Sequence, residues 1–285
     1  MIEIIPEQDI NKTIAEQIQR FGQMHILIDP QINDNFFWEY NIEFDSVVPI
    51  RDRQDTVSND YECLQLCTIK KGSAAINQLV EELKNNQTSL IALIFSPFAI
   101  NDIQKHISNA MFMSYRANYF MFRFYDPQVL KHLVNIFDEK QINNMLGSIQ
   151  YWYYWQDDYV QLHHKPELIL WDIEYKITTK QWQKINIAQS YNAYEHHTVK
   201  KQKKPLTINQ QNTLNQLLDW IYTATFNKPD QQKMDYLVNY AMVESEHFFQ
   251  QIDSDLLVEL MANQKFNQLE KYLNNSKKEQ KYVIV

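Results

Sequence analysis

An α/β N-terminal lobe built on a central mixed sheet, followed by an all-α C-terminal lobe, is the fold class that this chain's patterning predicts. Three observations carry it. Short apolar runs bounded by turn residues alternate with amphipathic stripes up to about residue 178. From Thr179 onward the apolar spacing is helical. Asp, Ser and Thr stand where several of the stripes begin, as helix caps should. The expected division is therefore 1–178 for the α/β lobe and 179–285 for the helical lobe.

In chain order, Met24–Asp29 is the first apolar strand and Ser46–Ile50 the second. Ser73, after Gly72, opens a helix with Ile76, Leu79, Val80 and Leu83 on one face. Leu90–Phe95 is a continuous apolar run closed by Ser96-Pro97, the pattern of a strand buried on both faces. Ile100, Ile103, Ile107, Ala110 and Met111 mark the next helix, and Tyr119–Tyr125 reads as another strand. Asp126 can cap the following helix, because its carboxylate can accept from orphan N–H groups, and Pro127 suits the first helical position. That helix carries Val129, Leu130, Leu133, Val134 and Phe137 as one stripe. Asp138 with Gln141 forms a capping-box pattern, and Gly147 is placed to end the helix it opens. Tyr151–Trp155 and Leu168–Ile177 read as antiparallel strands. In the second, Trp171, Ile173, Tyr175 and Ile177 alternate with Asp172, Glu174 and Lys176, giving one buried and one solvated face.

The helical lobe follows the same logic. Lys200–Pro205 reads as a solvated loop after its first helix. Thr207 with Gln210 is a second capping box, ahead of Leu214, Leu217, Leu218 and Ile221. Asp230 starts a helix through Met234, Leu237, Val238, Ala241, Phe248 and Phe249. Asp253 or Ser254 starts another with Leu256, Leu257, Leu260 and Met261, and Phe266, Leu269 and Leu273 complete the bundle.

Bulk properties narrow the function classes. The chain has 285 residues, 45% of them hydrophobic, so it is long and apolar enough for a substantial core. Its net charge of −8 gives no global electrostatic case for nucleic acid as a partner. No basic, apolar leader opens the sequence and no apolar run reaches spanning length, so a cytoplasmic protein without membrane insertion is expected. Two cysteines make no disulfide framework. Only three glycines are present, Gly22, Gly72 and Gly147, whereas a Walker loop or a dinucleotide fingerprint needs several within a few residues.

The most enzyme-like pattern is Glu174-x-Lys176 on one strand face, with Asp157 or Asp158 upstream. Carboxylates there could hold Mg²⁺ while the lysine stabilises an attacking water or a phosphate, as in a metal-dependent phosphodiesterase of nuclease type. The triplet is very common, however, and a solvated strand face of alternating charge explains it equally. Cys63 and Cys67 could ligate zinc only with two further ligands nearby, and read as half-buried, apolar-like cysteines. The pairs His163-His164 and His196-His197 read as surface residues. No cofactor, no metal and no catalytic residue is expected. The run Tyr151, Trp152, Tyr153, Tyr154, Trp155 exceeds what one strand face needs, so part of it, notably Tyr153 and Trp155, is a candidate partner surface together with Leu217. Arg123 lies in an apolar context. The expectation is a buried guanidinium paired with Asp29 or Asp126, because an unpaired buried charge is prohibitively costly.

The run Phe122-Arg123-Phe124-Tyr125-Asp126-Pro127, the helix after it and Gly147-Ser148-Ile149-Gln150-Tyr151-Trp152 resemble the signature of the type VI secretion adaptor family, the Tap/Tec effector chaperones. Three further blocks occur in the family's order: Met24–Asp29, Ser46–Ile50 and Leu90–Pro97. Together they cover roughly residues 24–155. Pro30 stands where members often have glycine. The resemblance implies a non-catalytic adaptor that binds a cognate effector and loads it onto the spike protein VgrG. It also implies that Asp29, Arg123, Tyr125, Asp126, Pro127 and Trp152 are signature positions, either structural or part of a partner site.

Overall fold

A broad antiparallel sheet, covered by helices on both faces, is the frame on which the first half of the chain is built. The computed structural model describes residues 2–32, 42–51, 62–84, 89–167, 175–224, 231–243, 248–251, 256–257, 259, 261 and 267–273. The chain divides into two units, Met1–Gln181 and Trp182–Val285, a boundary three residues beyond the one the sequence predicts.

The first unit runs β1 (Ile2–Ile5), α1 (Glu7–Phe21), β2 (Gln23–Ile28), β3 (Ser46–Ile50), β4 (Leu64–Lys70), α2 (Ala75–Glu82), β5 (Leu90–Phe95) and α3 (Ile100–Ala110). It continues with β6 (Phe112–Tyr115), β7 (Asn118–Met121), α4 (Pro127–Ile136), α5 (Glu139–Leu146), β8 (Tyr151–Gln156), β9 (Asp158–His163) and β10 (Tyr175–Lys176). Seven strands form the main sheet in the order β1-β9-β8-β5-β2-β4-β3. Every neighbouring pair in it is antiparallel. A second sheet has the order β10-β6-β7, with β10 parallel and β7 antiparallel to β6. Mixed pairing is thus confined to the small sheet.

One face of the main sheet is sealed by α1 and α2. Ile10, Ile14 and Ile18 of α1 and Leu79 and Val80 of α2 share a core with Met24, Ile26, Cys67, Leu93, Phe95, Tyr153 and Tyr159. On the other face α3 lies against β3 and β4, and α4 against β8. Two covered faces explain the aromatic run of β8. Successive strand side chains point to opposite faces, so Tyr153 enters the α1–α2 core while Trp152 meets Phe124 on the far side. Trp152, Tyr153 and Tyr154 are all buried.

Caps set the helix boundaries as the sequence predicts. The Asp126 carboxylate accepts from the Gln128 N–H at 2.9 Å ahead of Pro127. Asp138 and Gln141 form a reciprocal box at 2.8 and 3.1 Å. Other elements differ. β1, α1, β4, β6 and β9 are absent from the sequence reading, and β8 takes β9 and β5 as its antiparallel partners rather than the Leu168–Ile177 segment, whose Tyr175–Lys176 runs parallel to β6. Of the strand expected over Leu168–Ile177, Tyr175–Lys176 is seen, and residues 168–174, Glu174 included, lie outside the described residues.

The second unit holds α6 (Thr179–Gln202), whose first residues belong to the first unit, then α7 (Ile208–Ala224), α8 (Gln231–Val243) and α9 (Phe248–Gln251). Its core joins Leu214, Leu217, Leu218 and Ile221 to Met234, Leu237, Val238, Ala241, Leu257, Met261, Leu269 and Leu273. The predicted solvated loop at Lys200–Pro205 is shorter. Lys200 and Lys201 form the basic last turn of α6, where cations complement the helix dipole. Lys203, at φ 55°, then takes the left-handed position that closes the helix. The expected starts at Asp230 and at Asp253 or Ser254, with Leu260 and Phe266, lie outside the described residues.

Two buried histidines lock the first unit. His25 of β2 bonds through Nδ1 to Thr68 Oγ1 at 2.9 Å, and His106 of α3 donates from Nε2 to the Met145 carbonyl at 2.9 Å. Gly147 ends α5 at φ 49°, and a Cβ there would lie 2.0 Å from the His106 ring. Gly147 therefore answers two demands, a left-handed backbone and a close approach. Gly147→Ala is expected to destabilise by about 2 kcal/mol or more, read as a lowered urea midpoint. Burial holds both imidazoles at about 4, below the ordinary 6.5. Between those values the unfolded chain binds more protons than the folded one, so stability rises with pH. It should be fully present above pH 6.5 and fall as pH drops to 4, by up to about 3 kcal/mol per histidine. A flat urea midpoint across that window would contradict this.

Candidate functional site

The signature block folds as a turn, and the side chains it gathers form the candidate site. β7 ends at Met121, four residues earlier than the predicted strand. The chain then turns: the Phe124 N–H donates to the Phe122 carbonyl at 2.8 Å, and the Asp126 N–H to the Arg123 carbonyl at 3.1 Å. The apolar run looks like a strand because Phe122 and Phe124 are both buried. They are buried in a turn with their ring centres 6.3 Å apart, and each has further neighbours of its own. Phe122 lies 5.6 Å from Phe137 and 6.0 Å from Tyr175, ring centre to ring centre, while Phe124 lies 5.8 Å from Trp152.

Between those two rings Arg123 points outward. Its side chain is 42% exposed, which corrects the expectation of a buried guanidinium. The pairing with Asp29 does form: Nη2 donates to Oδ2 at 2.8 Å. The burial is on the acid's side, since the Asp29 side chain is 6% exposed. Asp29 follows β2 directly, where pairing with β5 slips by one residue between Leu27 and Ile28. A slip of this kind re-aims the residues beyond it. The Asp29 N–H donates to the Ser89 carbonyl at 2.8 Å, and Oδ1 accepts from the Gln31 N–H at 3.0 Å. Each carboxylate oxygen of Asp29 thus has a donor, the guanidinium on one and a backbone N–H on the other.

Tyr125 lies beneath this pair, its ring centre 5.6 Å from the Arg123 guanidinium carbon. Burial pushes its phenol up to about 12, with Arg123 pulling the other way. Asp126 and Pro127 serve the helix start, and Trp152 serves the core. Tyr153 and Leu217 are completely buried, which overturns their reading as partner surface. Tyr153 is covered by α1 and α2, and Leu217 is the centre of the helical core. Trp155 is half-buried, edge-on to Tyr159 at 4.9 Å.

Of the phosphodiesterase residues, Asp157, Asp158 and Lys176 are described. Asp157 and Asp158 stand at the β8–β9 turn of the main sheet and Lys176 on the small sheet. Glu174 lies outside the described residues. Among the described residues no group of three or more His, Cys, Asp or Glu could hold a metal ion. Cys63 and Cys67 are buried and form no disulfide, and burial raises the Cys67 thiol far above its usual range. Among the described residues no helix is long and apolar enough to cross a membrane.

The second unit contributes a groove of about 400 Å³ between α6, the end of α7 and α8. Its wall is a hydrogen-bonded set: Tyr194 donates to Asp235 Oδ1 at 2.9 Å, Gln231 donates to the same oxygen at 2.8 Å, and Ser190 meets the Tyr222 hydroxyl at 2.8 Å. Sequence reading misses these residues because they interrupt the apolar stripes without forming a motif. It also misses the hairpin tip at Arg116-Ala117, whose residues carry no turn signal.

Among known families, residues 59–144 match the Domain of unknown function DUF4123. The match runs from the approach to β4 through most of α5 and so contains the Arg123 turn and the β6–β7 hairpin. No curated protein and no solved structure matches the chain.

Because Arg123 is part-exposed, its loss should cost about 1–2 kcal/mol, less than a fully buried pair, the main term being the buried Asp29 carboxylate left with fewer donors. Arg123→Ala should lower the urea midpoint by that amount, and Arg123→Lys by less. No change for the alanine variant would mean that the pair contributes nothing.

Proposed function

We propose that this chain is a non-catalytic adaptor that binds a type VI secretion effector and loads it onto the spike protein VgrG. One coincidence carries the reading. The segment matched to the domain of unknown function, residues 59–144, contains the Phe122–Pro127 turn, the most specific part of the resemblance to the type VI effector adaptors. The chemistry of the turn supports it. Asp29, Arg123 and Asp126 spend their charges on one another and on backbone N–H groups rather than aiming them at a reacting atom. The shifted histidines and Tyr125 are pushed by burial toward their neutral forms. An adaptor acts through surfaces and needs neither cofactor nor metal. Its partners in this reading are proteins, not nucleic acid or a bilayer, and its place is the cytoplasm, where cargo is loaded.

Co-expression with the effector and spike proteins encoded beside its gene is expected to give a complex that survives gel filtration. Deleting the gene should stop export of one effector while the secretion machine continues to fire. Normal export of every effector in the deletion strain, or loss of all secretion together, would overturn the reading.

A further inference from the structure

We propose that Arg123, held out from its turn by Asp29 and Tyr125, is an anchor that grips main-chain carbonyls at the C-terminal end of a helix in the partner protein. The inference rests on the adaptor reading for the partner and adds the chemistry by which that partner is held.

A guanidinium carries a planar fork of N–H donors and no acceptor. Here Nη2 donates to Asp29 Oδ2 at 2.8 Å, and the Tyr125 ring centre lies 5.6 Å from the guanidinium carbon. Beyond Asp29 and Tyr125, Arg123 has no partner among the described residues. Its side chain is 42% exposed, whereas that of Asp29 is 6% exposed. The pair is therefore closed on the acid's side and keeps donors to give on the arginine's side.

The position of those donors is fixed from within. Phe122 and Phe124, on either side of Arg123 in the chain, are buried and tie the backbone to the core. Asp29 is itself held, its N–H donating to the Ser89 carbonyl and its Oδ1 accepting from the Gln31 N–H. A long side chain ordinarily gives up rotamer freedom when it binds. An ion pair at one edge and an aromatic ring at one face have already removed part of that freedom. Arginine is enriched where protein interfaces hold their partners most tightly. Met121, two residues earlier, is exposed and adds apolar contact area in the same stretch of chain.

The charges of the turn select the occupant. Arg123 brings one positive charge, while Asp29 and Asp126 bring two negative ones. All three act on the Tyr125 phenol, so they lie close together. A carboxylate from the partner would bond to the arginine and be repelled by both acids. A neutral carbonyl oxygen accepts from the same N–H groups without that repulsion. The last turn of a helix presents several such oxygens that have no partner within the helix, at the negative end of its dipole. Arginine side chains meet such carbonyls at helix ends. A planar fork donates to neighbouring oxygens in fixed directions, whereas an ammonium acts as a point charge.

The test measures, by titration calorimetry, the affinity of the full chain for the effector and for the spike protein encoded beside its gene. Arg123→Lys keeps a charge to pair with Asp29 and loses the fork. It should stay folded, with a thermal midpoint close to that of the unsubstituted chain, and bind one of the two proteins roughly tenfold more weakly or worse. Arg123→Gln should lose at least as much. Its loss relative to the unsubstituted chain should be the same at low and high salt, because the acceptor is neutral. Unchanged affinity of folded Arg123→Lys for both proteins overturns the inference and leaves the adaptor reading standing. A loss in Arg123→Gln that shrinks as salt rises points to a carboxylate as the acceptor and overturns the assignment to carbonyls. Failure of the unsubstituted chain to bind either protein removes the adaptor reading, and this inference with it.

Discussion

Two aromatic rings, two residues apart in one turn, fix the architecture of the first unit. Phe122 belongs to the small sheet's core, with Phe137 and Tyr175. Phe124 belongs to the main sheet, against Trp152. Each ring buries a large apolar surface, on the order of 2–3 kcal/mol of transfer free energy. The two rings also meet each other, at 6.3 Å, so the turn joins the two cores through one aromatic cluster. With both rings turned inward at the end of β7, Arg123 between them points out and Asp126 stands where α4 starts. The Asp29–Arg123 pair is then a consequence of the clamp. It fastens the exposed side of the turn to the end of β2.

A part-exposed arginine on a rigid turn is a different object from a buried one. A buried charge is a structural device whose removal is catastrophic. This one contributes modest stability and remains accessible at its outer edge. The same clamp holds the β6–β7 hairpin at the neighbouring position by burying one face of the small sheet, which leaves Tyr119 and Met121 exposed. The first unit therefore combines a closed interior with exposed apolar side chains at one edge of its small sheet.

Much of this is legible in the sequence where the signal is local. Capping at Asp126 and Asp138, the both-face burial of Leu90–Phe95 and the helical stripe after Thr207 depend on a few adjacent residues, and each stands as expected. The features that differ depend on distant partners. The Arg123 run reads as a strand because apolar density does not distinguish a strand from a turn whose rings are both buried. Tyr153 reads as surface because nothing local announces that α1 covers that face of the sheet. α1 itself is hard to see, its isoleucines at positions 10, 14 and 18 spaced four apart among polar residues. The β6–β7 tip is invisible because Arg-Ala is not a turn sequence.

The clamped turn and its hairpin are, on this reading, where the protein meets its partner. Hydrogen exchange on the full chain, alone and in complex with a co-purifying effector, tests that directly. New protection concentrated within residues 112–126 is the predicted result, since a partner seated on the turn slows exchange of the amides it covers. A stable complex that leaves exchange in 112–126 unchanged, with protection confined to 182–285, would contradict it.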